Sequence, residues 1–179
     1  MANLFNIEHY TPKKNDEFFF DTNVWIYILI PALSFNQSVP EKYANFWGSI
    51  RKNNAKVLTS FVIISEFVNR YLRFQLEKYN KKNKTSISYK NFKNKEEYEE
   101  DYKYILNIVN QIILPNSELV EAPLEIISKD SSIYNYSKNC DINDNYIIEI
   151  SKYFECFLVS SDKYLASTCE NVNILSSFA

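Results

Sequence analysis

Short apolar segments that end in polar residues, separated by segments of helical periodicity, restrict the fold of this chain more than any other feature. Residues 18–20, for example, are three phenylalanines that stop at Asp21. Runs this short and apolar are typical of strands buried on both faces of a parallel sheet. The predicted strands are residues 18–20, 56–59, 118–121, 157–160 and 173–175.

Helical periodicity fills the intervals between these segments. The predicted helices are residues 24–30, 41–53, about 60–76, 98–112 and 141–154. Strands that alternate with helices predict an α/β fold, a three-layer sandwich around a central, mainly parallel sheet of four to five strands. The length fits a single domain over residues 1–179, with a polar extension over about 1–17 and a charged helical arm over about 78–104.

The scarcity of glycine and histidine excludes several kinds of catalytic site. One glycine cannot form the glycine-rich phosphate loops of nucleotide-binding proteins, and one histidine leaves little room for a Ser–His–Asp triad or a zinc site. The three cysteines are far apart and form no C-x-x-C pair, so we interpret them as free thiols. Carboxylates, hydroxyls and amides remain as the reactive groups.

Charge and hydropathy give no sign of a membrane segment. The formal net charge is −2, which argues against a strongly basic nucleic-acid-binding chain but not against a locally basic groove. The first residues lack the apolar run of a signal peptide, and the most apolar stretch, residues 18–35, is too interrupted to span a bilayer. We expect a soluble protein of the cytoplasm.

Acidic residues follow two of the predicted strands and begin or lie early in two of the helices. Asp21 and Asp162 come just after strands, at the sheet edge where ligands bind in open α/β sheets. Either of them alone is also explained as a helix cap or a turn residue. Glu66 lies in the second turn of the helix after residues 56–59, where Arg70 is an alternative, purely structural ion-pair partner.

Asp141 and Asp144 stand three residues apart at the start of a helix, where capping explains one carboxylate and leaves the second in excess. Together with the other acidic residues they place at least four carboxylates at one sheet edge. Unpaired like charges at such range are costly, and a divalent cation relieves them. Oxygen ligands favour Mg²⁺ or Mn²⁺, which activates water and orients a phosphodiester.

Four segments resemble, in order, the acidic motifs of PIN domains. They are residues 18–25, 59–67, 141–151 and 157–162, so the resemblance extends over about residues 18–176. It implies a ribonuclease fold with a carboxylate pocket for Mg²⁺ or Mn²⁺, in which Asp21, Glu66, Asp144 and Asp162 take the acidic places. Thr22 or Asn23 and Ser160 would hold this pocket by hydrogen bonds. The additional Asp141 leaves open which of the two neighbouring aspartates approaches the metal.

The sequence therefore predicts a metal-dependent endoribonuclease, the toxin of a toxin–antitoxin pair, with RNA as substrate, a protein antitoxin as partner and a homodimeric state. Arg70 and Arg73 are candidates for binding the substrate, because they begin a basic stretch beside the acidic residues. The alternative for this stretch is a solvated helical hairpin.

An RNA-binding or scaffold protein with little turnover is the alternative function. A receiver or phosphatase domain is disfavoured, because Asp21 lacks the second acidic residue of a D-x-D pair.

Overall fold

The computed structural model describes residues 2–34, 38–128, 131–136, 140–168 and 170–179. The strands are β1 Asn3–Asn6, β2 Glu17–Phe20, β3 Lys56–Thr59, β4 Glu118–Leu119, β5 Phe157–Val159 and β6 Asn173–Ser176. The α-helices are α1 Thr22–Leu29, α2 Ser38–Lys52, α3 Phe61–Asn83, α4 Tyr89–Phe92, α5 Glu96–Ile108, α6 Leu124–Ile127, α7 Ile142–Tyr153 and α8 Lys163–Thr168. Short 3₁₀ or π-helical turns lie at Pro31–Leu33, Val109–Ile113, Leu114–Asn116 and Ser132–Tyr134.

The strands form one sheet in the order β1-β6-β5-β2-β3-β4, and each pairing between its neighbours is parallel. The predicted α/β fold is thus confirmed, with six strands where the sequence predicts four or five. The additional strand is β1, within the segment predicted to be a polar extension. It pairs with β6 alone, and Leu4 and Phe5 remain partly exposed, so this edge strand lacks the apolar pattern of a buried one.

The centre of the sheet is β2, whose phenylalanines Phe18, Phe19 and Phe20 are fully buried. Successive side chains of a strand point to opposite faces, so their burial means that both faces of the sheet are covered. On one face Phe18 contacts Phe46 of α2, with ring centroids 5.4 Å apart, and Phe20 contacts Trp25 of α1 at 5.1 Å. This packing fixes the carboxyl end of β2 between β5 and β3.

The predicted charged arm consists of the end of α3, α4 and the start of α5. Helix α3 ends at Asn83, and Lys84 directly after it has a left-handed φ of 51°. The carboxylate of Asp101 accepts hydrogen bonds from Tyr71 Oη at 3.2 Å and Gln75 Nε2 at 2.6 Å, which tie α5 to α3. Within the arm, the ring of Phe92 packs against Tyr79 and Tyr98, with centroids 5.4 and 5.6 Å apart, so its two halves form a hairpin.

Across the part of the chain that the structure describes, no helix is both long enough and apolar enough to cross a membrane.

Candidate active site

The carboxyl ends of β2, β3 and β5 meet at one edge of the sheet and surround a cavity of about 330 Å³. This acidic pocket is lined by Asp21, Asn23, Glu66, Arg70, Asp141, Asn143, Asp144, Ile147 and Asp162. The structure thus brings all five carboxylates singled out from the sequence to one place. Asn143 and Ile147 also line the pocket, and neither is one of the acidic residues of the four motifs. Their only signal is their position on α7 beside Asp144.

Asp21 follows β2 directly and is 7% exposed. It occupies the N-cap position of α1, but its side chain accepts no capping hydrogen bond of standard geometry from that helix. Its Oδ2 instead accepts a hydrogen bond from Ser160 Oγ at 2.8 Å and a longer one from Asn23 Nδ2 at 3.4 Å. The shortest contact of the Asp21 carboxylate is therefore with Ser160 after β5 and not with the start of α1.

Burial raises the pKa of the Asp21 carboxyl above its ordinary value, and the like charge of Glu66 acts in the same direction. The hydrogen bond from Ser160 opposes this rise in pKa, as does the nearby backbone N–H of Asn23, which lies outside standard hydrogen-bond geometry. A fully buried acid held in this way gains most from a cation that stabilises its ionised form.

Ser160, at the end of β5, links two of the acidic residues. Its buried hydroxyl donates to Asp21 and accepts a hydrogen bond from the backbone N–H of Asp162 at 3.1 Å. The Asp162 Oδ1 in turn accepts from the amides of Tyr164 at 2.7 Å and Leu165 at 3.3 Å, so this carboxylate caps α8 while it lines the pocket.

Asp141 and Asp144 form a reciprocal capping box at the start of α7. Asp141 Oδ1 accepts from the amides of Asn143 at 2.8 Å and Asp144 at 3.0 Å, and Asp144 Oδ2 accepts from the Asp141 amide at 2.9 Å. The expectation that capping uses only one of these carboxylates is therefore wrong, because each of them accepts a backbone N–H.

The pKa of the Asp144 carboxyl is raised although this carboxyl takes part in the cap. Its pKa is raised to about 6, first by burial and then by the negative charges of Asp141, Asp21 and Asp162, while the hydrogen bond from the Asp141 amide opposes the rise. Two of these charges, those of Asp21 and Asp162, come from other chain segments that line the same pocket.

Glu66 is half-buried and has Arg70 as a partner, with Arg70 Nη1 3.7 Å from Glu66 Oε1. The same guanidinium nitrogen donates to Asn23 Oδ1 at 2.6 Å. Burial raises the pKa of the Glu66 carboxyl, and Arg70 opposes the rise. The buried Thr22 hydroxyl also opposes it, although Thr22 makes no hydrogen bond of standard geometry within the described residues.

Arg70 and Arg73 occupy different places. Arg70 is the one cationic side chain among the described residues that line the acidic pocket. Arg73 lies outside it, one helical turn further along α3, with its guanidinium 5.4 Å from the centre of the Tyr89 ring. Arg73 lines an adjoining surface groove with Phe61 and Asn143. Arg73 thus does not line the acidic pocket itself, although its groove shares Glu66, Arg70 and Asn143 with that pocket.

The chemistry of the acidic pocket fits a hard divalent cation. Five carboxylates face one guanidinium, and the pKa values of Asp21, Glu66 and Asp144 are all raised. The donors are oxygen atoms, which suit Mg²⁺ or Mn²⁺ better than Zn²⁺. Within the described ranges, no three His, Cys, Asp or Glu side chains already stand close enough to hold an ion. Binding would thus draw the carboxylates closer together.

Comparison with known proteins identifies the family of this chain. The model of the PIN domain family matches residues 18–171, so the chain belongs to the PIN domain family, whose members are generally nucleases that depend on a divalent metal. The membership predicted from the four acidic motifs is confirmed. A comparison with curated protein sequences finds no significant match.

Two solved structures are similar in fold. FitAcB from Neisseria gonorrhoeae has a TM-score of 0.50 and 17% sequence identity over 90% of this chain and 98% of its own. VapBC2 from Rickettsia felis, in a structure bound to a DNA fragment from its promoter, has a TM-score of 0.49 and 15% identity over 88% of this chain and 96% of its own. At such identity the likeness to FitAcB concerns the fold alone.

Proposed function

We propose that the protein is an endoribonuclease that depends on Mg²⁺ or Mn²⁺ and hydrolyses RNA phosphodiester bonds. The observation that carries this proposal is the convergence of five carboxylates on one pocket at the carboxyl edge of the sheet, three of them with a raised pKa. The negative charge of such a pocket attracts a cation and repels a phosphate. A bound cation would neutralise that charge, and a phosphate could then approach.

The residues take distinct roles in this proposal. Asp21, Asp144 and Asp162 hold one or two cations, with Asp141 as a further candidate ligand. Glu66 is either a ligand or the base that orients the attacking water. Ser160 fixes Asp21 through its 2.8 Å hydrogen bond, and Thr22 and Asn23 support the acidic residues on either side.

When bound, the cation lowers the pKa of water and neutralises charge on the phosphodiester. Because water attacks, rather than the ribose 2′-hydroxyl, the products carry a 5′-phosphate and a 3′-hydroxyl. Arg70 lies where it would contact a phosphate oxygen at the mouth of the pocket, and Arg73 would contact the strand further out.

The biological role in this proposal is that of a toxin neutralised by a protein antitoxin, in a homodimeric, cytoplasmic protein. Support comes from the membership of the chain in the PIN domain family, because many small stand-alone bacterial PIN proteins are toxins of toxin–antitoxin pairs. Induced expression should arrest growth for the natural sequence and not for Asp21→Asn.

Cleavage of defined single-stranded and structured RNAs tests the mechanism. We expect cleavage with Mg²⁺ or Mn²⁺, none in EDTA, and a loss of at least a hundredfold in Asp21→Asn, about the effect of removing one well-placed catalytic group. Glu77→Gln, a charge change on the exposed side of α3, is the matched control and should cleave normally. Full activity in EDTA, or equal activity of the natural protein and Asp21→Asn, would overturn the mechanism.

A PIN-fold protein that binds RNA with little turnover is the second candidate. It is favoured by the 3.7 Å pairing of Glu66 with Arg70, which offsets the charge of one of the pocket carboxylates. Calorimetric titration with Mn²⁺ separates the two functions, because the nuclease should bind the ion and the RNA-binding protein should show no binding at millimolar concentration.

A further inference from the structure

A second cavity of about 360 Å³ adjoins the acidic pocket. This apolar pocket is lined by Asn23, Ile26, Tyr27, Leu33, Ser34, Val39 and Arg70. Two of these residues, Asn23 and Arg70, also line the acidic pocket, so the two cavities share a wall. Any group seated in the apolar pocket is therefore an immediate neighbour of a group at the carboxylates.

We infer that the apolar pocket is a subsite for one nucleobase of single-stranded RNA, next to the phosphodiester that is cleaved. This inference rests on the proposed nuclease function and adds a specificity determinant to it. A base has two apolar faces and a polar edge, and proteins that bind single strands commonly hold bases against aromatic and aliphatic side chains.

The walls of the apolar pocket match this occupant. Ile26, Leu33 and Val39 provide aliphatic surface, and Tyr27 provides an aromatic ring. The position of the Tyr27 ring is fixed by stacking on Tyr43, with centroids 5.5 Å apart, and by a 3.4 Å hydrogen bond between its hydroxyl and Ser161 Oγ. A fixed ring loses little conformational freedom when a ligand binds.

The charge of the shared wall selects a nucleotide over a purely apolar ligand. Arg70 is the only charged group among the described lining residues of the apolar pocket, and it is cationic. Its guanidinium stands where the phosphate that follows a bound base would pass into the acidic pocket. The side-chain amide of Asn23 lies beside it and accepts a hydrogen bond from Arg70 Nη1 at 2.6 Å through Oδ1. This amide offers polar contacts to the edge of a base.

The volume suits one base and not a duplex. A cavity of about 360 Å³ lies near the lower end of the range of about 300–1,000 Å³ that is usual for small-ligand sites. A base reaches such a cavity only when it is unpaired and turned out of its stack. The subsite therefore restricts cleavage to single-stranded or looped RNA.

The test compares RNA with and without the base at this position. The cleaved bond in a single-stranded oligoribonucleotide is mapped first, and abasic residues are then placed on either side of it in turn. One base–aromatic contact is worth about tenfold or more in affinity, so one abasic position should lower kcat/KM of the natural protein by at least about tenfold.

Val39→Trp fills the apolar pocket and Ala32→Trp, on the exposed side of the adjoining 3₁₀ turn, is its matched control. We expect Val39→Trp to cleave intact RNA no faster than the natural protein cleaves abasic RNA, and to be insensitive to the abasic residue. Ala32→Trp should behave like the natural protein. Circular dichroism of each variant checks that it is folded.

Other outcomes overturn the subsite and distinguish it from the nuclease function. Metal-dependent cleavage that is insensitive to every abasic residue keeps the nuclease and removes the subsite. If no RNA is cleaved at all, the nuclease proposal fails. Fluorescence anisotropy with the same oligonucleotides then tests the subsite. The subsite requires that the natural protein binds abasic RNA more weakly than intact RNA, and that Val39→Trp binds both RNAs equally. If Val39→Trp cleaves normally but escapes a protein inhibitor, the pocket binds protein and the inference is wrong.

Discussion

Asp144→Asn should stabilise the protein in the absence of metal. The pKa of this carboxyl is raised from 3.8 to about 6 in the folded protein, so at neutral pH the folded state carries a charge that burial disfavours. For an acid with a raised pKa, the stabilising contribution is complete below the unfolded pKa of 3.8 and is lost as the pH rises through about 6. Asparagine removes that charge and keeps the shape of the side chain.

The magnitude follows from the change in proton affinity. At about 1.4 kcal/mol for each tenfold change, a pKa that moves from 3.8 to about 6 corresponds to about 3 kcal/mol. Asp144 is only half-buried, and solvent screening reduces this to about half. Loss of a negative charge at the N-terminus of α7 costs about 0.5 kcal/mol. We therefore expect a net gain of about 1 kcal/mol, or about 2–4 °C in Tm for a domain of this size.

Thermal unfolding in EDTA measures this gain. Asp144→Asn should melt above the natural protein at about pH 7.5, and the difference should shrink towards zero near pH 4. Glu77→Gln, which removes an exposed charge of the same α/β domain, should change the free energy of unfolding by less than about 0.5 kcal/mol. Saturating Mg²⁺ should reverse the order, because the natural protein gains binding energy that the variant lacks. A lower or unchanged Tm of Asp144→Asn in EDTA at pH 7.5 would refute the reasoning.

Three further substitutions test neighbouring contacts. Asp141→Ala removes the acceptor of two backbone amides at the start of α7 and should lower the free energy of unfolding by about 1 kcal/mol, measured by urea denaturation. Ser160→Ala removes the 2.8 Å hydrogen bond to Asp21 and should lower kcat more than it changes KM; an unchanged kcat would show that Ser160 does not position the carboxylate. Asp101→Ala breaks the 2.6 Å contact with Gln75 and should speed hydrogen exchange in α5 without altering cleavage.

The sheet and the site could be predicted from the sequence to different depths. The three phenylalanines before Asp21 indicate a strand, because consecutive apolar residues are typical of a strand that is buried on both faces. The edge strand β1 has no such pattern, because its side chains are exposed and its sequence does not differ from that of a polar extension. Its pairing with β6 depends on residues about 170 positions away, as the Asn3–Asn173 hydrogen bond shows.

The sequence predicts which residues form the site better than it predicts the contacts between them. Arg70 was an expected partner of Glu66 from their spacing along α3, and that pair is present at 3.7 Å. The second bond of Arg70, to Asn23, joins two helices and has no signal in local periodicity. It is this bond that holds the guanidinium on the wall shared by the acidic and apolar pockets.

Capping and metal binding by the same aspartate are compatible, because a carboxylate has two oxygens. Hydrogen bonds engage Oδ2 of Asp21, Oδ2 of Asp144 and Oδ1 of Asp162. Such a bond fixes the direction of a carboxylate and leaves the other oxygen as a possible ligand, as is usual for hydrogen-bonded metal ligands. A structural role for each aspartate therefore does not count against the proposed site. What distinguishes this set from ordinary caps is the raised pKa of Asp144, which is caused first by burial in the pocket and then by the negative charges of Asp141, Asp21 and Asp162.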